Sequence, residues 1–456
     1  MRRRSVILGL CGLLFLAAAP LAAQPGKLVV PPLEFRERVL GNGLRVVSLE
    51  DHASPTVSVQ VWYEVGGKDD PPGRSGFAHL FEHLMFKSTR HLAAEQFDRM
   101  TEDVGGMNNA STGEDRTNYF NVVPSNHLER LLWAEAERMS NLNVDDGNFR
   151  SERAVVQEEY RQRVLADPYG RFYEAFNLRS YAVHPYRRGT IGNIDELEAA
   201  SLDDVRDFHR RYYRPDNAIL IVTGDFEPAQ LDRWVDRYFS PIPRPSAAIP
   251  RVTAVEPART RDVRVEETGP AVPLPAVAIT WLAPSARSAD AAALKVLAAL
   301  LGNGESSRLN QSLVYRRELA QEATFVADLR VDIGLLVAYA VAATGKSPAR
   351  LAETMRADID QLAAKPVPAA ELAKVKTQLL TQALLQRQTP LGKGMALGDA
   401  IITLGDVRRV NAELDDLQAV TAADVRRVAR TYLAGARSVI IEYTRQPAAG
   451  GPGATK

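Results

Sequence analysis

Two apolar stretches near the start of the chain predict neighbouring strands. They are LRVVSLED at residues 44–51 and TVSVQVWYEV at residues 56–65. In the second stretch, valines at every other position alternate with serine and glutamine, as expected of a strand with one buried face. Patterns with helical spacing follow over residues 76–87, 93–104, 125–141 and 149–165. The first part of the chain therefore combines strands with several predicted helices.

A predicted helix followed by a buried strand occurs twice. SLDDVRDFHRRYY (201–213) precedes NAILIVTGDF (217–226), and TAADVRRVARTYL (421–433) precedes RSVIIEYT (437–444). The two pairs align at an offset of 220 positions (421 minus 201), which places Tyr212 on Tyr432. A repeat of this length indicates two duplicated domains rather than a solenoid, whose repeats are much shorter.

A proline-rich segment separates the two predicted domains. Residues 241–260 contain several prolines, which block regular structure and predict a semi-extended linker. The N-terminal domain is then expected at residues 28–240 and the C-terminal domain at residues 261–446. The last residues, 447–456, are rich in glycine and alanine and are predicted to be disordered.

The N-terminal segment is typical of a secretory signal. MRRRSVILGLCGLLFLAAAPLAA has three arginines, a short apolar run and a small-residue ending, which predicts a signal peptide at residues 1–23. An uncleaved membrane anchor is the alternative. The single cysteine, Cys11, lies in this segment, so the mature chain has no disulfide. Export without disulfides favours a bacterial periplasm, with no membrane association after cleavage.

The overall charge argues against one class of partner. Lysine plus arginine and aspartate plus glutamate each number 56, which gives a formal net charge of zero in 456 residues. Proteins that bind nucleic acid mainly through phosphates carry a basic excess. Nucleic acid is therefore not expected as a partner.

The chemistry is most evident in GFAHLFEHLMF (76–86). At about 100° per residue, one helix face is apolar. The other face carries His79, Glu82, His83 and Phe86, without lysine or arginine. Titratable groups buried on such a face need partners. Histidines four positions apart can bind one metal ion, and H-x-x-E-H is the inverse of the H-E-x-x-H zinc pattern. A catalytic zinc needs a third protein ligand.

A second segment offers carboxylates for that third position. In SERAVVQEEYRQR (151–163), Glu152 and Glu159 are seven positions apart (159 minus 152) and share a helix face. They are suited to act as a metal ligand with a supporting acid. A charged surface helix is the alternative for this segment, and spacing alone does not choose between the two.

These motifs together resemble the pitrilysin-type metallopeptidases, the M16 family. The similarity comprises HLFEH (79–83), GGMNNASTGEDRTNYF (105–120) and ERAVVQEE (152–159), with further matches over 184–225 and 300–313. The family includes insulinase and the mitochondrial processing peptidase, and the chain resembles its small bacterial two-domain members. The resemblance implies an α+β fold of two homologous α/β-sandwich domains (LuxS/MPP-like). Each would be a mainly antiparallel sheet packed with helices, from internal duplication.

The resemblance also implies a role for each matching residue. The implied zinc ligands are His79, His83 and Glu159. Glu82 would be the general base, and Glu152 a second carboxylate that supports the site. Substrate would add as an extra strand at Asn109 and Ala110. The implied activity is that of an M16B-like metalloendopeptidase that uses Zn²⁺ to hydrolyse peptides or small unfolded polypeptides.

One departure from the family pattern concerns the C-terminal domain. Members that act alone carry an arginine and a tyrosine seven residues apart after an SRL motif. Here Val314 and Gln321 occupy those positions. The chain is therefore predicted to be the zinc-bearing subunit of a heterodimer whose related partner supplies the Arg-Tyr pair. A homodimer or monomer is the alternative, and a second functional hypothesis is a non-catalytic or weakly active binding or assembly subunit.

Overall fold

The computed structural model describes residues 29–447. The predicted signal peptide and almost all of the predicted tail lie outside the described residues. The strands are β1 (Arg36–Val39), β2 (Arg45–Glu50), β3 (Thr56–Tyr63), β4 (Met107–Thr112), β5 (Thr117–Pro124), β6 (Ala218–Gly224), β7 (Val263–Gly269), β8 (Ala276–Ala283), β9 (Ala320–Asp328), β10 (Gly334–Ala342) and β11 (Val439–Arg445).

α-Helices make up much of the remaining described chain. They are α1 (Phe77–Leu84), α2 (Gln96–Glu102), α3 (Leu128–Asn141), α4 (Asp146–Tyr160), α5 (Gly170–Ser180), α6 (Ile194–Glu198), α7 (Leu202–Tyr212), α8 (Pro228–Tyr238), α9 (Ala291–Gly302), α10 (Pro348–Ala364), α11 (Ala369–Gln386), α12 (Pro390–Ile402), α13 (Arg409–Ala419) and α14 (Ala422–Ala429). Three helical segments have π geometry: Arg161–Ala166 after α4, Asn310–Arg316, and Arg430–Ala434 after α14.

The strands form two sheets of the same topology. The first sheet has the order β1-β2-β6-β3-β5-β4, and the second has the order β7-β11-β8-β10-β9. Without β1, the two orders correspond strand for strand along the chain. In each sheet one pair is parallel, β2 with β6 and β7 with β11, while the other pairs are antiparallel. The predicted α+β class with two homologous, mainly antiparallel sheets is confirmed.

The repeated helix–strand pair lies at the same place in both sheets. Ser201 and Thr421, 220 positions apart (421 minus 201), each begin their helix with a capping box closed by an aspartate three residues later. The strand after each helix, β6 or β11, becomes an inner strand of its sheet. The internal repeat read from the sequence therefore corresponds to equivalent structural elements.

The segment between the two sheets has no regular structure. In the described chain, no helix or strand lies between Tyr238 and Val263. The segment is nevertheless tied to the first half by hydrogen bonds, because the Glu256 carboxylate accepts the N–H groups of Ala182, Val183 and His184. The domain limits placed at residues 241–260 stay a prediction.

Each half of the chain supplies a helix that covers the sheet of the other half. Phe172 of α5 packs against Ile441 and its neighbours on the second sheet. Conversely, Leu397 of α12 packs with Trp62 and its neighbours on the first sheet. The other face of the first sheet carries α1 and the larger apolar core. The helix α1 thus lies on one side of the first sheet, and α12, which comes from the second half of the chain, lies on the other.

The approach of α12 to the first sheet is close enough to require glycine. A Cβ added at Gly398 would lie 2.3 Å from the Trp62 ring, which is fully buried. Near Gly394, the buried Gln60 side chain donates to the Leu391 carbonyl at 3.0 Å. Because neither the ring nor the amide has room to move, the small residues of α12 determine how closely the halves pack.

We expect Gly398→Ala to lower the free energy of unfolding by about 1–3 kcal/mol, because the added methyl overpacks the Trp62 contact. Denaturant unfolding followed by tryptophan fluorescence and circular dichroism measures the change. Gly41→Ala is the matched control, since a Cβ there meets nothing within 4 Å. Equal stability of the two variants would contradict the role given to α12.

Candidate metal centre

The start of helix α1 is fixed by contacts with Asp70 and with the backbone near Ile191. The Asp70 carboxylate accepts the N–H groups of Gly76 and Ala78 at 2.6 and 2.9 Å, so it satisfies the first turn in place of a local cap. Burial raises the pKa of Asp70 to about 7. Gly76 has φ 92°, and a Cβ there would lie 2.8 Å from the Ile191 carbonyl oxygen. Both residues set the position of the histidines that follow.

The two predicted faces of α1 are present. The apolar face is fully buried in the core of the first half through Phe77, Leu80, Phe81 and Leu84. The opposite face carries His79, Glu82 and His83, of which His79 is buried and the others are half-buried. The helix therefore buries imidazole and carboxylate groups that need polar partners.

Glu159 of α4 meets both histidines. Its Oε2 atom lies 3.5 Å from Nε2 of His79 and 3.4 Å from Nε2 of His83. One ligand atom from each of the three side chains falls within 4.8 Å of the others, and no other such group occurs in residues 29–447. The neighbouring Glu158 is exposed and pairs with Arg161 instead. The structure thus places Glu159 at the site and Glu158 outside it.

This donor set fits a zinc ion. Tetrahedral zinc with bonds of about 2.0–2.1 Å has ligand atoms about 3.3–3.4 Å apart, close to the 3.5 and 3.4 Å that separate Oε2 of Glu159 from the two imidazole nitrogens. Two imidazoles and one carboxylate are also the usual ligands of a catalytic zinc with one open position. Burial holds the pKa of His79 below its usual range, so this imidazole is neutral, as metal binding requires.

Glu152 lies behind the site rather than in it. Its Oε2 atom is 3.6 Å from Nδ1 of His83, the ring nitrogen that faces away from Glu159. Its Oε1 atom pairs with Lys87 Nζ at 2.8 Å and accepts the Ser151 hydroxyl at 3.0 Å. Burial opposes ionisation, but these partners lower the pKa of Glu152. The carboxylate is therefore an anion directed at the outer nitrogen of a metal-ligand candidate.

Glu82 has a different environment from the other two carboxylates. Its Oε2 atom accepts the hydroxyl of Thr112 at 2.6 Å. Burial raises the pKa of Glu82, and the Thr112 bond opposes that shift only in part. A carboxylate of raised pKa beside a metal site is a better proton acceptor than an ordinary glutamate.

Three residues of the site were missed by the sequence reasoning. They are Thr112, Lys87, and Arg163, whose guanidinium pairs with Oε1 of Glu159 at 2.7 Å. Lys87 and Arg163 each stand four positions after a predicted ligand, a spacing that places them on the same helical face. Thr112 had no comparable signal, because a strand residue meets a helix residue only in the folded chain.

Asn109 and Ala110 lie on β4, the edge strand of the first sheet. Among the described strands, β4 pairs only with β5. The Ala110 N–H donates to the Asn109 side-chain oxygen at 2.8 Å, so this N–H is directed away from β5. The strand next to the metal site therefore has a free edge suited to another strand.

The positions expected for the Arg-Tyr pair hold neither group. Val314 is half-buried against the core of the second half, and Gln321 is exposed on β9. Two nearby arginines are engaged elsewhere: Arg308 pairs with Glu371 and Arg317 pairs with Asp358. Neither of these two arginines therefore takes the place of the arginine that is missing at position 314.

Comparison with known proteins identifies the relatives of the chain. A family profile described as "Insulinase (Peptidase family M16)" matches residues 45–179, and one described as "Peptidase M16 inactive domain" matches residues 199–379. The chain is 32% identical over 410 residues to "Zinc protease PqqE" of Helicobacter pylori (strain ATCC 700392 / 26695), covering 88% of this chain and 91% of that protein.

A second relative and a solved structure agree with this result. The chain is 24% identical over 424 residues to "Probable mitochondrial-processing peptidase subunit beta, mitochondrial" of Arabidopsis thaliana, covering 91% of this chain and 79% of that protein. The crystal structure of a protease from Helicobacter pylori superposes with a TM-score of 0.88 at 30% identity, covering 91% of this chain and all of that one. The predicted family is confirmed.

We expect His83→Ala to lose bound zinc, because one of three protein ligands is removed. Glu82→Gln is the control on the same helix face and should keep one zinc per chain. Elemental analysis after exhaustive dialysis of zinc-loaded protein measures the difference, with circular dichroism to verify folding. Full zinc content in folded His83→Ala would contradict the ligand assignment.

We also expect zinc affinity to fall as the pH decreases through the neutral range. Burial alone would lower the pKa of His83, but Glu152, Glu159 and Glu82 outweigh it and raise the pKa. Zinc must then displace a proton from His83, so acid favours the metal-free form. Competition with a calibrated chelator between about pH 5.5 and 8 measures this dependence. Glu152→Gln should shift it to lower pH, and a flat profile would contradict the assignment.

Proposed function

The chain belongs to the M16 peptidase family, and from this premise we propose that it is a zinc-dependent endopeptidase acting on peptides or small unfolded polypeptides. The proposal is carried by one observation: His79, His83 and Glu159 converge on one point, with Glu82 beside them. The insulinase-family match at 45–179 includes all four residues. The relatives named zinc proteases support the choice of metal.

Zinc held by His79, His83 and Glu159 would lower the pKa of a water molecule to about 7 and polarise the scissile carbonyl. Glu82 is the general base in this proposal. It takes a proton from the attacking water and later delivers a proton to the leaving amine. Its burial and raised pKa suit both transfers, because a group that accepts a proton readily also holds it until the amine departs.

Glu152 has a positioning role in this proposal. Its carboxylate faces Nδ1 of His83 at 3.6 Å and attracts the proton on that nitrogen, which directs Nε2 of the same ring toward the metal position. Lys87 keeps Glu152 ionised for this task. Arg163 acts similarly on Glu159, since it engages the oxygen that does not face the histidines.

The substrate is proposed to bind as an additional strand on β4. Main-chain hydrogen bonds along this edge accept many sequences, as a peptidase of broad substrate range requires. In the free protein, the Asn109 side chain occupies the Ala110 N–H. A bound peptide would displace that amide and take over the N–H, which leaves Asn109 free to contact the substrate.

The enzyme is proposed to act with a related subunit. Val314 and Gln321 leave the chain without the Arg-Tyr pair of self-sufficient members. A partner carrying that pair would complete the site in a heterodimer. Similarity to a protein named as the beta subunit of a processing peptidase supports a paired arrangement. A homodimer is the alternative arrangement.

The proposed location is the bacterial periplasm. The basic, apolar and small-residue order of residues 1–23 supports cleavage of a signal peptide during export. Within residues 29–447, no helix combines the length and apolar character needed to cross a membrane.

A non-catalytic binding or assembly subunit is the second candidate function. It is favoured by the absent Arg-Tyr pair and by the match of residues 199–379 to a profile described as inactive. That match begins after the last zinc-ligand candidate, so it leaves the metal centre outside its range. The intact metal centre therefore favours catalysis over this alternative.

We expect the zinc-loaded chain to cleave an unstructured fluorogenic peptide, faster when mixed with a related chain that carries the Arg-Tyr pair. Glu82→Gln should reduce kcat about 10²–10⁴-fold while retaining zinc. Peptide fluorescence and mass spectrometry of products measure both effects. No cleavage alone or with the partner would favour the assembly subunit, and full activity unaffected by any partner would contradict the heterodimer.

A further inference from the structure

The Thr112 side chain is the protein group that holds the Glu82 carboxylate. The hydroxyl of this last β4 residue donates to Oε2 of Glu82 at 2.6 Å, a short bond of the kind formed by a carboxylate. Throughout residues 29–447, no other side chain or backbone group forms a hydrogen bond or ion pair with this carboxylate. One oxygen is therefore fixed, while the other is left for a proton transfer.

The position of the Thr112 hydroxyl is itself well determined. Thr112 lies opposite Thr117 in the β4–β5 register, and the Thr117 hydroxyl donates to the Val65 carbonyl at 2.9 Å. A β-branched side chain has few allowed χ1 rotamers. Thr112 therefore lies in the paired part of the β4–β5 hairpin, close to its turn. The partner strand β5 is fixed there by the bond from Thr117 to Val65, so the Thr112 hydroxyl has a defined position.

The side-chain direction along β4 agrees with this contact. Residues two apart face the same side of a strand, so Asn108, Ala110 and Thr112 share a face. The Asn108 amide donates to Asp98 of α2, which shows that this face is directed at the helix layer. The edge strand proposed to receive substrate therefore also reaches the proposed base.

We propose that Thr112 is a positioning residue that orients Glu82 for proton transfer and links it to the substrate-binding strand. Glutamate has three side-chain torsions, and its freedom is lost only where a partner holds it. Without the hydroxyl, Glu82 would stay near the site but sample several rotamers. This inference rests on the proposed function, because it assigns a partner to the proposed base.

The second half of the chain provides a matched control. Its edge strand β9 corresponds to β4 in strand order, and its helix α9 follows β8 as α1 follows β3. Thr324 of β9 donates its hydroxyl to the Gly302 carbonyl at the end of α9, at 3.2 Å. Like Thr112, Thr324 is an edge-strand threonine whose hydroxyl bonds to a helix. Unlike Thr112, it lies in the half of the chain without the candidate metal centre.

The test compares Thr112→Val, Thr112→Ser and Thr324→Val in the full chain, under the conditions where wild type cleaves peptide. Thr112→Val should lower kcat about 10–100-fold, with KM within about twofold and zinc content unchanged, because orientation rather than binding is lost. Thr112→Ser should recover most of the rate, since it keeps the hydroxyl. Thr324→Val should match wild type.

A structural measurement separates this inference from the proposed function. Crystal structures of zinc-loaded wild type and Thr112→Val are compared at Glu82, with Thr112→Ala as a second variant if the first does not fold. A displaced or multiple Glu82 rotamer supports the inference, even if wild type cleaves no peptide and the proposed function fails. An unchanged Glu82 rotamer, or a Thr112→Val enzyme with the wild-type kcat, overturns it.

Discussion

The burial of one short helix on both of its faces is the constraint on which the site depends. One face of α1 belongs to the apolar core, and the other carries two imidazoles and a carboxylate. Polar groups withdrawn from water cost free energy unless partners replace the solvent. The chain meets that cost with α4 and β4, which bring Glu159 and Thr112 to the polar face. The apolar core of the first half, in which the other face of α1 is buried, keeps the helix in this position.

The three carboxylates of the site have partners of different charge. Glu152 is paired with Lys87 and Glu159 with Arg163, whereas the partner of Glu82 is a neutral hydroxyl. A cation stabilises the ionised form of a carboxylate more strongly than a hydroxyl does. Burial raises the pKa of Glu82, and its hydroxyl partner offsets that shift only in part. The partners of Glu152, His83 and Lys87, outweigh burial and lower its pKa. Glu152 and Glu82, two chemically identical side chains, thus differ in their capacity to accept a proton.

Much of the fold followed from local patterns. The duplicated helix–strand pair predicted two related sheets, and the two faces of α1 followed from helical spacing alone. Boundaries were less accurate: the helix predicted at 149–165 begins at Asp146, where Asp145 caps it, and becomes a π-helix after Tyr160. Contacts such as Thr112 with Glu82 could not be foreseen, because they join residues whose distance depends on the complete fold.

In the candidate site, too, residues close together in the sequence could be predicted from spacing, whereas residues far apart could not. The pair His79 and His83 is visible within five residues, whereas the choice of Glu159 over its neighbours needed the family resemblance. In the structure, α4 lies beside α1 so that Glu159 faces the two histidines while Glu158 pairs with Arg161 at the surface. Asp70 could not be predicted as the cap of α1 either. It lies six residues before Gly76, which is outside the spacing of the standard capping patterns.

The exchange of helices between the halves has a consequence for how the chain matures. Much of the second face of the first sheet is covered by α12, which ends at Ile402. The packing of this face therefore needs residues that lie nearly nine-tenths of the way along the sequence (402 of 456). A growing chain that has not yet made α12 lacks this cover over Trp62 and its neighbours, and apolar surface left uncovered during synthesis is the kind that chaperones protect.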